Sequence, residues 1–529
     1  MRPNRLLFGT AAAWVCLFWL GCVAVPLVTL LARVKNWSAL WDPLILQITY
    51  LTAGQALISA VISAAVALPL GLWIGSSGLA ERRWAQALLA LPFGVPTVVA
   101  GLAWVILLGR SGIFAGLDWA YSFKAVILAH VVFNVPWIAL WVAQARSYLP
   151  ASRLEAARTL GARGGASFRT IIWPQVKWSF WSAACQTFVF CAMSFALILV
   201  LGGGPPVQTL EIALFSHIRF GSLDIDGAIA CAIWELLVTL LPWCLVVYFQ
   251  MREEHAISRS TRERGLESSR GFFLRWLPVG VALVFFLPYL AVLTTGRHWG
   301  ESAYFPIRDE VVPALWISLK LALATAFGAL FTSICAVLFI EMLPRQRSNS
   351  SSALRGALLF LMGVPNGISA LVLGLGLWLA YGKWIDPFSG SYGAIIALQM
   401  TIFFPIAFRI LWPIARDRDQ KLVEAALLMG ASRTRAFFTV EWSRWKAPLL
   451  SAFAMVVGAS LGEVSAVSLF YSEDLIPLPL LVSRWSAQYR FGDAQAVAVL
   501  LLFLCSGVIL LAYPFAYLGK GADRKISLQ

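Results

Sequence analysis

The chain has 529 residues, 60% of them hydrophobic and only 13% charged, with a formal net charge of +15. A soluble globular protein carries about twice that charged fraction, so this composition, with a mean hydropathy of +0.78, excludes a soluble globular protein. The charge does not point to nucleic acid either, because the surplus Lys and Arg fall mainly in alternate loops between apolar runs, as in a membrane protein with its basic loops on the cytoplasmic side.

A membrane-crossing helix needs about 20 mostly apolar residues. The sequence meets this in chain order at about 7–31, 50–75, 86–109, 124–145, 178–201 and 228–250, then 273–295, 313–342, 354–381, 391–414, 447–471 and 495–518. Val497–Ala516 has no charge and Ile229–Tyr248 has only Glu235. Proline and glycine inside these runs are compatible with membrane helices. The first run follows Arg2 and Arg5, exceeds a signal-peptide core and has Trp19 where the "LGC" of a lipoprotein site would want Leu. It reads as an uncleaved helix. The eight cysteines all lie in apolar runs without a C-x-x-C pair, so they read as small buried hydrophobes. No metal site and no cofactor is expected.

The loops then sort by charge. Residues 146–177 hold Arg146, Arg153, Arg158, Arg163, Arg169 and Lys177 against Glu155, and 415–446 hold Arg416, Arg418, Lys421, Arg433, Arg435, Arg444 and Lys446. The stretch 251–272 and both termini join them on the basic side, and the loop at 202–227 opposes them with Glu211, Asp224 and Asp226. Arg33 and Lys35 are a local exception. The expected topology is a multi-pass protein of the bacterial inner membrane with cytoplasmic N- and C-termini.

Residues 155–174 read "EAARTLGARGGASFRTIIWP", and 424–443 read "EAALLMGASRTRAFFTVEWS", displaced by 269 positions from 155 to 424. The same displacement, without gaps, carries "GVP" at 94–96 onto 363–365, Pro136 onto Pro405, Trp173 onto Trp442, Lys177 onto Lys446 and Asp224 onto Asp493. Similar apolar runs would match Leu and Val but not these residues. The pattern implies a first half at 1–250, a linker at 251–272 and a second half at 273–529. Six spans per half make the repeats parallel. Pro96 and Pro365 are expected to mark matched kinks in the third and ninth spans.

In the first polar copy, Ser152 and Glu155 have the spacing of a capping box. Leu154, Ala157 and Leu160 form one narrow apolar stripe, and Gly161 ends the helix. The second copy keeps Glu424, Ala425, Ala426 and Gly430 but has Lys421 for the Ser and Ser443 for Pro174. One such helix could lie at lipid headgroups, but two at equivalent places favour a docking element.

This pattern resembles the Glu-Ala-Ala loop of ABC-importer permeases. It is met by Glu155, Ala156, Ala157, Gly161, Ile171 and Pro174, and again by Glu424, Ala425, Ala426 and Gly430, with Val440 for the Ile. The resemblance implies an all-α integral membrane protein of the type I ABC-importer permease fold, with about twelve transmembrane helices in two parallel six-helix repeats. It also implies that each loop is a coupling helix seated in a cytoplasmic ABC ATPase present in two copies. A periplasmic substrate-binding protein would deliver the solute, and alternating access would carry it across. "LAHVVFNVP" at 128–136 and "LGGGPPVQTLEIAL" at 201–214 are similar to the fused thiamine-importer permeases, implying thiamine as the solute, with ferric iron or another small solute as the alternative. The chain has no G-x-x-x-x-G-K-[ST] phosphate loop, so it is expected not to be an enzyme itself. Its partners are expected to be that ATPase, the binding protein and membrane lipid.

Ionisable residues within spans are functional candidates. Glu463 is the clearest, with Glu235 behind it. A carboxylate at Glu463 could suit a cationic solute in the translocation pathway or could hydrogen-bond neighbouring helices. His130 and Asn134 share one face of the fourth span, as pathway residues or as a helix-packing polar pair. An ion-driven secondary transporter would need more protonatable groups within spans. A membrane-embedded enzyme would need a motif such as H-E-x-x-H, which the chain lacks.

Overall fold

The computed structural model describes residues 5–526 apart from 111, 163, 203–206, 221–222, 258–271, 295–303, 344–348 and 417–419. Most of the expected linker, the Gly-Pro run after Gly202, Arg163 and Arg418 therefore lie outside the described residues. Among the described residues all regular structure is helical, apart from a single bridge between Ser472 and Leu475.

Helix α1 (Arg5–Trp19) runs through a π turn, Leu20–Ala24, into α2 (Val25–Ala32). Then follow α3 (Pro43–Gly75), α4 (Leu79–Ala90), α5 (Thr97–Leu108) and α6 (Phe123–Ser147). The first polar loop holds α7 (Ala151–Thr159) and α8 (Gly164–Ser167), and leads to α9 (Trp173–Ala192), α10 (Ala196–Gly202), α11 (Leu210–Arg219) and α12 (Ile225–Ile257). The second half runs through α13 (Phe272–Val284), α14 (Ala291–Thr294), α15 (Tyr304–Met342), α16 (Asn349–Gly363), α17 (Ala370–Tyr381) and α18 (Tyr392–Arg416). Its polar loop holds α19 (Gln420–Leu428) and α20 (Arg433–Ala436), before α21 (Trp442–Leu461), α22 (Ser465–Phe470), α23 (Leu478–Ala487) and α24 (Phe491–Ile526).

Seven of these helices are long and apolar enough to cross a membrane, or up to eleven spans when each sharply bent pair counts as one. The count falls short of the expected twelve at 447–471. There α21 carries Arg444 and Lys446 in its first turns, and the backbone breaks at Gly462–Val464 before α22. In the best window of each of the seven unbroken spans, between 28% and 61% of residues are buried. The apolar remainder, such as Leu237, Leu241, Phe327 and Phe331, suits lipid, where helices must satisfy their own backbone.

The chain forms two compact units. One comprises Met1–Val34, Ala303–Val482 and Val499–Gln529, the other Lys35–Ser302 and Ser483–Ala498. The first helix of the sequence thus packs on helices of the second half. Trp14 Nε1 donates to Thr332 Oγ1 (3.1 Å), Phe18 meets Phe404 edge-on, and Tyr381 Oη donates to Gly21 O (2.9 Å) at the π turn. A π turn displaces one carbonyl from the regular ladder, and here Tyr381 occupies it. Likewise α13 packs on α4, and α14 on α5, in the other unit.

Within the unit containing 35–302, α3 and α6 make the most extensive helix pair. The cause is a G-x-x-x-G spacing, Gly71 and Gly75, which lets the two backbones approach. A Cβ at Gly71 would lie 2.6 Å from Val142 Cβ and 2.8 Å from Ala139 O. In each unit a hydroxyl on the long helix accepts the first amide of a later one: Thr52 from Leu210 N (3.0 Å), and Ser318 from Leu478 N (2.8 Å).

The duplicated elements keep the 269-residue displacement over α6 and α18, α7 and α19, and α9 and α21, whose ends match residue for residue. The third and ninth spans do not. They bend by 94° and 98°, as matched kinks should, but the equivalent helices start at Thr97 and Ala370 and end at Leu108 and Tyr381, a displacement of 273. Pro96 precedes α5, and its counterpart is Ser369, whose hydroxyl accepts from Val372 N (3.1 Å). Pro365 lies in a 3-10 turn whose counterpart holds Pro92. The packing agrees, since Cβ atoms at Gly101 and Gly374 would meet Val200 and Leu469 respectively. The identical "GVP" tripeptides are thus one helical turn out of register. A shift of four residues nearly preserves the buried face at 3.6 residues per turn, and the following loop is four residues shorter, which restores the displacement at α18.

Candidate functional site

Helices α7 and α19 are each nine residues long and close in the same way. Gly161 and Gly430 both have φ +84°. Gly161 N donates to Arg158 O (3.0 Å) and Ala162 N to Ala157 O (2.9 Å), while Gly430 N donates to Leu427 O (3.0 Å) and Ala431 N to Ala426 O (3.1 Å). This pair of bonds is a Schellman closure, in which a left-handed residue lets the next amide reach back to a carbonyl of the last turn. Ala157 and Ala426 are buried to the same degree, with Leu154 and Val423 beside them half-buried. Glu155, Ala156, Glu424 and Ala425 are exposed. Each loop therefore turns its second alanine inward and its Glu outward.

The capping box is not formed. The helix begins at Ala151 with Pro150 as its N-cap, which offers no side-chain bond, so Ser152 sits two residues into the first turn. Proline's fixed φ and the extended ψ of 138° supply the entry in place of a hydroxyl. After each closure the chain forms a short helix and then a five-residue π turn, Phe168–Ile172 and Phe437–Glu441, again in register. Pro174 is the second residue of α9, directly after the first of these π turns, and its missing N–H interrupts the helical ladder there, in keeping with the local change of hydrogen-bond register. Ser443 takes its place in α21, its Oγ donating to Val440 O (3.3 Å), and the exit keeps the same backbone form.

Glu463 lies at the break between α21 and α22. Its Oε1 accepts from Ser465 N (2.7 Å) and Ala466 N (3.3 Å), so the carboxylate caps a helix within the apolar region. Glu463→Ala is expected to unseat α22 and lower the melting temperature of the detergent-solubilised protein, while Glu463→Gln, which keeps the acceptor oxygen, restores most of it. Equal loss in both variants would show that charge rather than capping matters.

His130 and Asn134 are both buried, and Asn134 Nδ2 donates to His130 O (2.8 Å) and approaches Cys191 Sγ (3.5 Å) on α9. Gln55 Nε2 on α3 donates to Cys191 O (2.7 Å). One repeat on, Gln399 replaces His130 and Ser460 replaces Cys191. There Gln399 Oε1 accepts from Thr325 Oγ1 (3.0 Å) and Ser460 Oγ (2.7 Å), joining α15, α18 and α21. Gln399→Leu strands two buried hydroxyls, and a loss of roughly 2–4 kcal/mol is expected, measurable as a lowered thermal midpoint. An unchanged midpoint would refute the tie. This three-helix polar contact was not foreseen from sequence, although the repeat offers the signal, since polar residues recur at matched positions of the fourth and tenth spans. Among the described residues no group of three or more His, Cys, Asp or Glu is arranged to hold a metal.

The model of the family described as "Binding-protein-dependent transport system inner membrane component" matches the chain twice, at residues 67–252 and 328–516. The chain belongs to this family. It is accordingly a multi-pass inner-membrane protein, the permease component of an ABC transport system. The chain is 27% identical to the thiamine transport system permease protein ThiP of Brucella abortus (strain 2308) over 491 residues, covering 90% of this chain and 88% of that protein. It is 28% identical to the ThiP of Escherichia coli (strain K12) over 515 residues, covering 91% and 92%. With the ThiP of Haemophilus influenzae the identity is 26%, over 98% of this chain and 97% of that protein. Both family matches contain one of the Glu-Ala-Ala loops.

Proposed function

We propose that the chain is the membrane subunit of an ATP-driven importer for thiamine. Similarity to thiamine permeases runs over nearly the whole length of both chains, and this carries the substrate. Two cytoplasmic ATPase subunits would engage α7 and α19 through Glu155, Ala156, Ala157, Gly161 and Pro174 in one loop and Glu424, Ala425, Ala426 and Gly430 in the other. The matched closures support this reading: two short helices of one backbone form suit two copies of one partner. A periplasmic binding protein would deliver thiamine, and both termini would be cytoplasmic, on the side of the basic loops.

In this scheme ATP draws the ATPase subunits together, the coupling helices follow, and the membrane portion opens outward to take the ligand. Hydrolysis then returns it to the inward-facing form. Between lining the pathway and supporting helices, the environments of Asn134 and Glu463 favour support, because Asn134 Nδ2 bonds His130 O and approaches Cys191 Sγ, and Glu463 caps a backbone turn, whereas both ring nitrogens of His130 are buried without a hydrogen bond among the described residues.

The test is uptake of labelled thiamine by cells whose own thiamine importer is deleted, complemented with this chain, its ATPase and its binding protein. Uptake should require all three, and excess unlabelled thiamine but not ferric iron should suppress it. Uptake that persists without the ATPase would overturn the ATP-driven reading. Suppression by iron alone would overturn the substrate.

A further inference from the structure

The two coupling helices share a backbone but not an outer surface. Their inward residues correspond, Leu154 and Ala157 in α7 with Val423 and Ala426 in α19. Of the outward residues, Glu155 and Ala156 match Glu424 and Ala425, but those at the C-terminal ends do not match. At the three positions before the closing glycine, α7 has Arg158, Thr159 and Leu160, and α19 has Leu427, Leu428 and Met429. Leu160 is 88% exposed, Leu428 89% and Met429 82%. Such exposure of large apolar side chains at the end of a short polar-loop helix points to a partner that covers them. In α7, Arg153 and Arg158 are exposed beside the single apolar tip. In α19, Leu427 stands in place of Arg158 and is half-buried.

We propose that the two loops hold the same ATPase by different forces, the first mainly by charge and the second mainly by apolar contact. This rests on the coupling reading above. One ATPase groove must then serve both helices. Its chemistry follows from what it has to accept: an apolar floor for Leu160 or Met429, and an acidic rim facing Arg153 and Arg158. The α19 helix uses the floor more fully through Leu428 and leaves the rim unused at the position of Arg158. The membrane subunit thus grips one ATPase copy in a salt-sensitive way and the other in a salt-resistant way.

The experiment is retention of a tagged ATPase by the full-length chain in detergent, washed in low and then high salt. High salt shortens electrostatic reach from about 10 Å to about 3 Å. In Leu428→Thr/Met429→Ser the remaining hold is that of the first loop, and retention should fall about fivefold in high salt. In Arg153→Gln/Arg158→Gln the remaining hold is apolar, and retention should change less than about twofold. Both variants change solvent-exposed side chains only, and a monodisperse elution profile confirms that each is folded. An equal salt response in the two variants overturns the asymmetry. If the wild type retains no more ATPase than Glu155→Lys/Glu424→Lys does, the coupling reading itself fails, a result distinct from the first.

Discussion

Gly71→Ile is expected to remove most of the folded protein from detergent extracts, whereas Gly54→Ile in the same helix is expected to leave it near wild type. The difference lies in what each new side chain meets. A Cβ at Gly71 would fall 2.6 Å from Val142 Cβ and 2.8 Å from Ala139 O, and one at Gly75 would fall 2.6 Å from Arg146 Cβ and 2.8 Å from Ala143 O. These are backbone and first side-chain atoms, so no rotamer change relieves them and α3 must move away from α6. A Cβ at Gly54 meets nothing within 4 Å. Overpacking a core costs about 1–3 kcal/mol and at times more. Gly71→Ile belongs at the upper end because it separates the most extensive helix pair in the chain, and in lipid tight packing is what holds helices together. The thermal midpoint of the extracted protein, read by fluorescence-detected size exclusion, checks this. Equal midpoints for the two variants would mean that α3 and α6 tolerate separation.

The apolar runs placed nearly every span, because hydrophobic length alone decides whether a helix can cross a bilayer. The polar loops were equally legible: Glu-Ala-Ala and Gly at a fixed displacement became two helices with equal ends and equal left-handed closures. Other features were misread or missed for physical reasons. The two "GVP" tripeptides matched in sequence, but a helix turns once in 3.6 residues, so a four-residue slip leaves the same face buried and only packing reveals it, as at Gly101 and Gly374. The Ser152–Glu155 box had the right spacing, yet Pro150 starts the helix earlier and moves Ser152 out of the capping position. The packing of α1 and its π turn against α15 and α17 depends on contacts more than 300 residues apart, such as Trp14 with Thr332 and Tyr381 with Gly21. No local pattern encodes these.

The second large effect is expected at the closing glycines. Gly161→Val combined with Gly430→Val should reduce uptake at least about tenfold, since a left-handed β-branched residue costs roughly 1–2 kcal/mol or more at each site. The amount of protein in the membrane should stay near wild type. Space is not the reason, because a Cβ at either glycine meets nothing within 4 Å. The whole penalty comes from φ +84°, so it falls on the closure alone and not on span packing. With the closure lost, Ala162 N and Ala431 N release the carbonyls of Ala157 and Ala426, and the exposed ends at Leu160, Leu428 and Met429 lose their fixed direction. The discriminating variant is Asn at both sites, since Asn tolerates the left-handed region through its short polar side chain. Uptake with the Asn pair should recover most of the wild-type rate. If the Asn pair transports as poorly as the Val pair, the requirement is for a bare backbone against the partner and not for a left-handed turn. If the Val pair transports normally, the closed ends of α7 and α19 are not what transmits movement to the membrane helices.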